Sequence, residues 1–326
     1  MNIPRPKNFE NMQAMFHHAL QIKNRVHTKE KSLHVSSPFI DQWKKRLRFL
    51  DIHYHAAPDL FTRRHGAITA GQLYQQQGGG VILKNHLGSS VAAAHAAREL
   101  DLPVFSSLVL NPISGGPQWR TIIQALAQHQ NLNMGRLLVH LPTLTNTQHT
   151  SKLIRSYSNH YAAHDAITPY SFCDASGKLC QQIIELMHIA KDHPLVLSTG
   201  HANRSELYQL IEQAAQIGLP RLMLNQPANP MTGLTASDLL ALRRESWLYF
   251  EQTALTYLLG YQSWDDFAAT LQQVPNLIYS SDLGQPNQMD IAAWWTTSCQ
   301  WFAQANIDAE RIDAICLNTP LAMLAV

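Results

Sequence analysis

The sequence predicts a (β/α)₈ TIM barrel, and three observations carry that expectation. From Leu50 onward, short apolar runs end in polar, glycine or proline residues and give way to segments of helical periodicity. Eight such strand–helix units are legible, and strands alternating with helices imply βαβ units and a parallel sheet. A chain of 326 residues suits a closed barrel folded as one unit. An open doubly wound sheet is the alternative.

Residues 1–48 read as an N-terminal helical extension: an amphipathic helix over Asn8–His27, then a polar, lysine-rich stretch to Arg48. Residues 49–326 read as the barrel. Its strands are expected at Phe49–His55, Gly80–His86, Pro103–Asn111, Arg136–Pro142, Leu195–His201, Arg221–Pro227, Trp247–Thr253 and Leu277–Gly284. Helical patterns include Ala67–Gln77, Trp119–Gln130, Gly177–Lys191, Ser205–Gly218, Thr235–Arg243 and Met289–Ala305. The connection from Pro142 to Leu195 is long and polar, with a turn at Asp174-Ala175-Ser176-Gly177. It reads as an inserted loop with a small hairpin after the fourth strand, and loops of this length are usually lids or binding loops. Asn318-Thr319-Pro320 opens a short last helix, with proline at an early position.

Composition narrows the function. Hydrophobic residues make up 45%, enough for an ordinary core. A formal charge of +2, from 25 basic and 23 acidic residues, asks for neither nucleic acid nor membrane. The cysteines Cys173, Cys180, Cys299 and Cys316 form no Cys-x-x-Cys pair. With no apolar leader and no membrane-length apolar run, the expected location is cytoplasmic. Histidine is the unusual residue: there are 17, and none lies beyond His201. A metal site must therefore take other ligand types from the last third of the chain.

His53 and His55 carry the functional argument. Side chains two apart in a strand share a face, so both imidazoles point to one side at the end of the first strand. In barrels that end holds the active site, and two imidazoles there suit a borderline metal ion. Asp51 is expected one layer deeper on the same face, as a carboxylate that orients a ligating imidazole. Lys84 and His86 share a face at the end of the second strand. A lysine after an apolar run is costly to bury without a purpose, so Lys84 is a candidate catalytic group and His86 a candidate ligand. His201 closes the fifth strand as a third ligand. Asp282 closes the eighth, as metal ligand or general base. Asn111, His140 and Glu251 also stand at strand ends and are candidates for substrate contact or ligand support. Arg63 and Arg64 could clamp an anion, although surface arginines are the default.

As a set, Asp51-Ile52-His53-Tyr54-His55-Ala56-Ala57-Pro58-Asp59, Leu83-Lys84-Asn85-His86, Leu197-Ser198-Thr199-Gly200-His201 and Ser280-Ser281-Asp282-Leu283-Gly284-Gln285 resemble the amidohydrolase superfamily, and more narrowly a poorly characterised amidohydrolase-like family. The resemblance covers Leu50 to the C-terminus. It implies one or two divalent metals and an activated water that attacks a carbonyl or phosphoryl centre. The chain departs from the pattern at Met223-Leu224-Asn225-Gln226-Pro227: Gln226 stands where a histidine is usual, and an amide oxygen is a poorer zinc ligand than imidazole.

The expected function is therefore a metal-dependent hydrolase acting on an amide, lactone or phosphoester of a small molecule. Zinc is the favoured ion, with manganese, iron or nickel as alternatives. Two other readings remain: a catalytically impaired binding barrel, motivated by Gln226, and a metal-dependent nuclease, disfavoured by the near-neutral charge. Expected partners are a small-molecule substrate and no nucleic acid or membrane, with self-association into a homo-oligomer left open.

Overall fold

The computed structural model describes residues 37–129, 135–145, 151–164, 168–243 and 245–326. The expected helix over Asn8–His27 lies outside these residues. Eight strands form the wall: β1 (Phe49–His55), β2 (Gly79–Lys84), β3 (Val104–Val109), β4 (Leu137–His140), β5 (Leu195–Ser198), β6 (Leu222–Leu224), β7 (Leu248–Thr253) and β8 (Leu277–Ser280). Each pairs in parallel with the next in chain order. The seam is closed by a parallel bridge between Tyr54 and Leu283, with Asp282 N donating to His53 O at 2.9 Å and His55 N to Leu283 O at 2.9 Å. The architecture is the (β/α)₈ barrel.

The strands are buried on both faces, as a parallel sheet covered by helices requires. Two separate apolar clusters result. The larger lies between sheet and helices and holds outward-facing residues such as Tyr54, Leu83, Leu197 and Phe250. The smaller fills the barrel interior with Leu50, Ile52, Ile82, Phe105, Leu138, Val196, Met223, Tyr249 and Ile278. It is continued below by Phe39 and Trp43 of the helix Pro38–Lys44, and by Leu321 and Leu324 of the C-terminal helix Thr319–Leu324. The described end of the N-terminal extension is therefore a helix that plugs the floor of the barrel.

The pleat then decides where chemistry can occur. Two residues beyond each inward apolar side chain comes Lys84, Ser107, His140, Ser198, Asn225, Glu251 or Ser280, all buried. Because alternate residues share a face, these polar groups form one layer above the apolar one, toward the C-terminal mouth. On β1 the spacing differs. The register with β2 shifts between Asp51 and Tyr54, so the strand carries a bulge there. Ile52 points inward, and His53 and His55 follow on the inward side.

Several strands end earlier than the sequence suggests. His201, Gln226 and Asp282 stand on turns beyond the ladders, not within strands. The backbone is left-handed at Gly200 (φ 56°), Gln226 (φ 46°) and Asp282 (φ 55°), which ends strand pairing and redirects the chain. Glycine is required at the first of these bends and again at Gly284, two residues past Asp282. A Cβ on Gly200 would collide with the carbonyls of Leu141 and Pro142, and one on Gly284 with the carbonyl of His55.

The long connection after β4 folds back over the mouth. Tyr157 bridges Phe61, Thr145 bridges Tyr170, and Cys173 bridges Leu179 around the Asp174 turn, which is the expected small hairpin. Among the described residues, no helix is long and apolar enough to cross a membrane.

Candidate metal centre

Three ligand atoms converge at the mouth. His53 Nε2 lies 3.3 Å from His55 Nε2, and Asp282 Oδ1 lies 3.1 Å from the first and 3.2 Å from the second. Ligands around a tetrahedral zinc at ~2.1 Å are about 3.4 Å apart. The triangle thus has the size that one ion needs.

The surrounding hydrogen bonds leave these atoms free to donate electron pairs. His53 Nδ1 meets Glu251 Oε1 at 2.8 Å, and Glu251 can only accept. The proton is therefore on Nδ1, and the Nε2 lone pair faces inward. Burial works against a charged His53, yet Asp282 and Glu251 outweigh it and hold its pKa above the usual histidine value. That field of two carboxylates favours a cation in the triangle. Burial, reinforced by Arg63, pushes His55 well below the usual value, so its ring is neutral. Asp282 is held well below the carboxylate range despite its burial, chiefly by His53. The donor set fits a divalent ion, whose identity stays open.

Of the expected ligands His53, His55, His86, His201 and Asp282, the structure brings His53, His55 and Asp282 to one point. The sequence reading did not foresee what fixes them. Glu251 also accepts from Ser280 Oγ at 2.8 Å and from Gln226 N at 3.2 Å, so it is held from three sides. Gln226 donates its side-chain amide to Asp282 Oδ2. Turned over, its oxygen would face a carboxylate oxygen, so the assignment follows from charge. The residue that departs from the histidine pattern clamps the third ligand through its NH₂ group and offers only a neutral amide oxygen in place of an imidazole.

Asp51 needs correction. The bulge reverses its face, and it points away from the imidazoles toward the helix Ala67–Gln76, where it accepts from the Tyr74 hydroxyl. Its other oxygen accepts the backbone N–H of His53 at 3.0 Å and of Ser281 at 3.0 Å. It anchors the bulge and the β1–β8 seam, and the imidazole it was expected to orient is oriented by Glu251. Burial raises its pKa to about 6.

A second group of potential ligands, His55, Asp59 and His86, adjoins the first. It is already neutralised. Asp59 Oδ2 accepts from Arg63 Nε at 2.7 Å and Nη2 at 2.6 Å, and meets His86 Nδ1 at 3.0 Å; Oδ1 accepts His86 N at 2.7 Å. Oδ2, the oxygen that faces both histidines, therefore has no lone pair left for a metal. His86 is thus beside the centre, stacked on His55 with ring centroids 4.6 Å apart, and its imidazole is engaged by Asp59. Arg63 is buried in this ion pair and is not an anion clamp at the surface. Sequence reasoning missed the pairing, although opposite charges four apart after Pro58 were a usable signal.

The other expected residues divide by role. Lys84 is 2% exposed, and its Nζ donates to Asn225 Oδ1 at 3.0 Å. Burial lowers its pKa, against the pull of Glu251 and Asp282. His140 bonds Ser198 Oγ at 2.9 Å through Nδ1, and burial depresses its pKa. His201 lines the cavity but stands outside both ligand groups. Asn111 takes Thr143 N at 2.7 Å and Leu144 N at 3.1 Å and donates to His86 O at 3.0 Å, so it ties the end of β2 to the end of β4. Arg64 reaches Gln288 O at 2.6 Å and braces the loop after β8.

A cavity of about 390 Å³ opens over the triangle. Its floor is His53, His55, Lys84, His201 and Asp282, and one wall is apolar, with Phe61, Leu153, Leu255 and Leu259. The long loop supplies Ser151 and Arg155. Gln285 Oε1, on the cavity lining, is buried without a partner among the described residues, as are Asn225 Nδ2 and His140 Nε2 in the polar layer of the barrel. This is the size and composition of a small-molecule site.

Residues 48–251 match the protein family described as "Family of unknown function (DUF6282)". No curated protein matches the chain.

Proposed function

For a chain that belongs to the DUF6282 family, whose description assigns no function, we propose a metal-dependent hydrolase of the amidohydrolase type, acting on an amide, lactone or phosphoester of a small molecule. The observation that carries this reading is the triangle of His53 Nε2, His55 Nε2 and Asp282 Oδ1, backed by Glu251 on the far nitrogen of His53. A divalent ion held by these three residues would lower the pKa of a water and polarise the substrate oxygen. One ion is favoured over two, because Gln226 offers a neutral amide where an imidazole would bind a second ion, and Asp59 is paired with Arg63.

The chain's own groups have distinct tasks in this reading. Glu251 keeps the Nδ1 proton on His53 and so aims the ring. Asp282 takes the proton of the attacking water, with Gln226 fixing the carboxylate plane. Lys84, held by Asn225 Oδ1, lines the cavity floor and would stabilise negative charge that grows on the substrate oxygen. The loop from Ser151 to Arg155 covers the mouth and limits water.

The test is metal content by plasma mass spectrometry, beside a His53→Ala/His55→Ala variant. We expect about one equivalent of a transition metal, lost in the variant. No metal after reconstitution with zinc, manganese or iron would overturn the reading. Full metal loading with silence across a panel of amides, lactones and phosphoesters would replace it with a binding barrel.

A further inference from the structure

We propose that the substrate of this site carries a carboxylate, held by Arg155 at the mouth of the cavity, with its apolar part against the Phe61–Leu259 wall. The inference rests on the metal-centre reading and adds the substrate class to it.

A charge count motivates it. A divalent ion is balanced by Asp282 and Glu251. Asp59 is balanced by Arg63. Among the described residues that line the cavity, two cations then remain, Lys84 and Arg155. Lys84 lies on the floor, where charge develops during reaction. Arg155 lies above it, on the loop, and has no carboxylate within ion-pair distance among the described residues. Its guanidinium rests on the Phe61 ring at 4.8 Å and makes one side-chain bond, Nη2 to Ser151 Oγ at 3.1 Å. A guanidinium carries five donors in a planar fork that matches a carboxylate. Most of these donors have no partner among the described residues, the side chain is half-buried at the cavity, and burial lowers its pKa.

Position supports the same assignment. Arg155 lines the same cavity as His53, His55 and Asp282, and it lies within the field of Asp282 and Asp59. The same cavity is lined by Leu153, Leu255 and Leu259. A small molecule with a scissile bond at the floor and a carboxylate at the mouth would lay its apolar part on these residues. A single unpartnered guanidinium suits a monoanion. The chemical class is a small monocarboxylic acid bearing an amide or ester, such as an N-acylated apolar amino acid.

The experiment is calorimetric titration of zinc-reconstituted protein with N-acetylphenylalanine, with its uncharged carboxamide, and with phenyl phosphate. We expect the acid to bind at least about tenfold more tightly than the carboxamide. Arg155→Gln should remove that preference without changing the zinc content or the melting temperature. Equal binding of acid and carboxamide by the natural protein would overturn the proposal without need of a variant. So would acid binding unchanged in Arg155→Gln, which would place the carboxylate on the metal instead. Tighter binding of phenyl phosphate than of the acid would overturn the carboxylate assignment. The hydrolase reading fails separately: Arg155-dependent binding of the acid by a protein with no turnover would keep the anion site and remove the enzyme.

Discussion

The two clusters that share His55 hold nearly the same residue types and behave in opposite ways. In one, His53, His55 and Asp282 aim bare acceptor atoms at a common point. In the other, His55, Asp59 and His86 surround a carboxylate already filled by a guanidinium. The difference does not lie in the ligand-type residues. It lies in what stands behind them. Glu251 takes the outer proton of His53 and thereby frees its inner nitrogen. Arg63 takes the very oxygen of Asp59 that faces the histidines and thereby closes it. A cluster of histidines and carboxylates becomes a metal site only when its partners leave lone pairs unspent.

The largest expected effect comes from breaking the closed cluster. Arg63→Met leaves Asp59 buried with His86 as its remaining partner. Removing one member of a buried ion pair costs ~3–5 kcal/mol, which a chemical denaturation curve will show. The same variant frees Asp59 for a second ion, so metal content should rise from one equivalent toward two under excess zinc. Stoichiometry that stays at one would mean that charge alone does not separate the clusters.

Asp51 gives the next effect, at the bulge that turns His53 inward. Its folded pKa, about 6 against an ordinary 3.8, means that the folded protein binds the extra proton between those values. Stability therefore falls as pH rises from about 4 to 6, in total by on the order of 3 kcal/mol. Asp51→Asn keeps an oxygen for the His53 and Ser281 N–H groups and turns its NH₂ to the Tyr74 hydroxyl oxygen. The stability difference between variant and natural protein should vanish near pH 4 and favour the variant at pH 7. A constant difference across that range would show that Asp51 is not held with a raised pKa.

The smallest effect sharpens the open cluster. Glu251→Gln keeps an acceptor for His53 but sets an NH₂ against the N–H of Gln226. We expect metal affinity to fall about 10–100-fold, or ~1.4–2.7 kcal/mol, with the fold intact. Competition with a chromogenic chelator measures it. Unchanged affinity would show that Glu251 does not set the His53 tautomer.

Much of this was legible in the chain. The alternation of apolar runs and helical segments gave the eight strands, β1 with both boundaries correct. His53, His55, Lys84, His86, His201 and Asp282 do line one cavity, because strand-end position is a local property that periodicity reports. Asp59 was passed over because it lies in a turn. Arg155 was passed over because nothing in Lys152-Leu153-Ile154-Arg155 distinguishes it from a surface loop.

By itself the sequence determined the barrel, the layer at which polar residues enter it, and the imidazole pair on one face. These follow from periods of two and 3.6 residues, which are written in neighbouring positions. Only the tertiary structure decided which imidazole nitrogen is free, which carboxylate is filled and which way Asp51 points. Glu251 reaches His53 across 198 positions of chain, and Gln226 reaches Asp282 across 56. Barrel closure brings such partners within 3 Å of one another through the ladder register, and a one-residue bulge in that register turns a side chain to the other face. Lone-pair accounting depends on those contacts, and no local pattern in the chain records them.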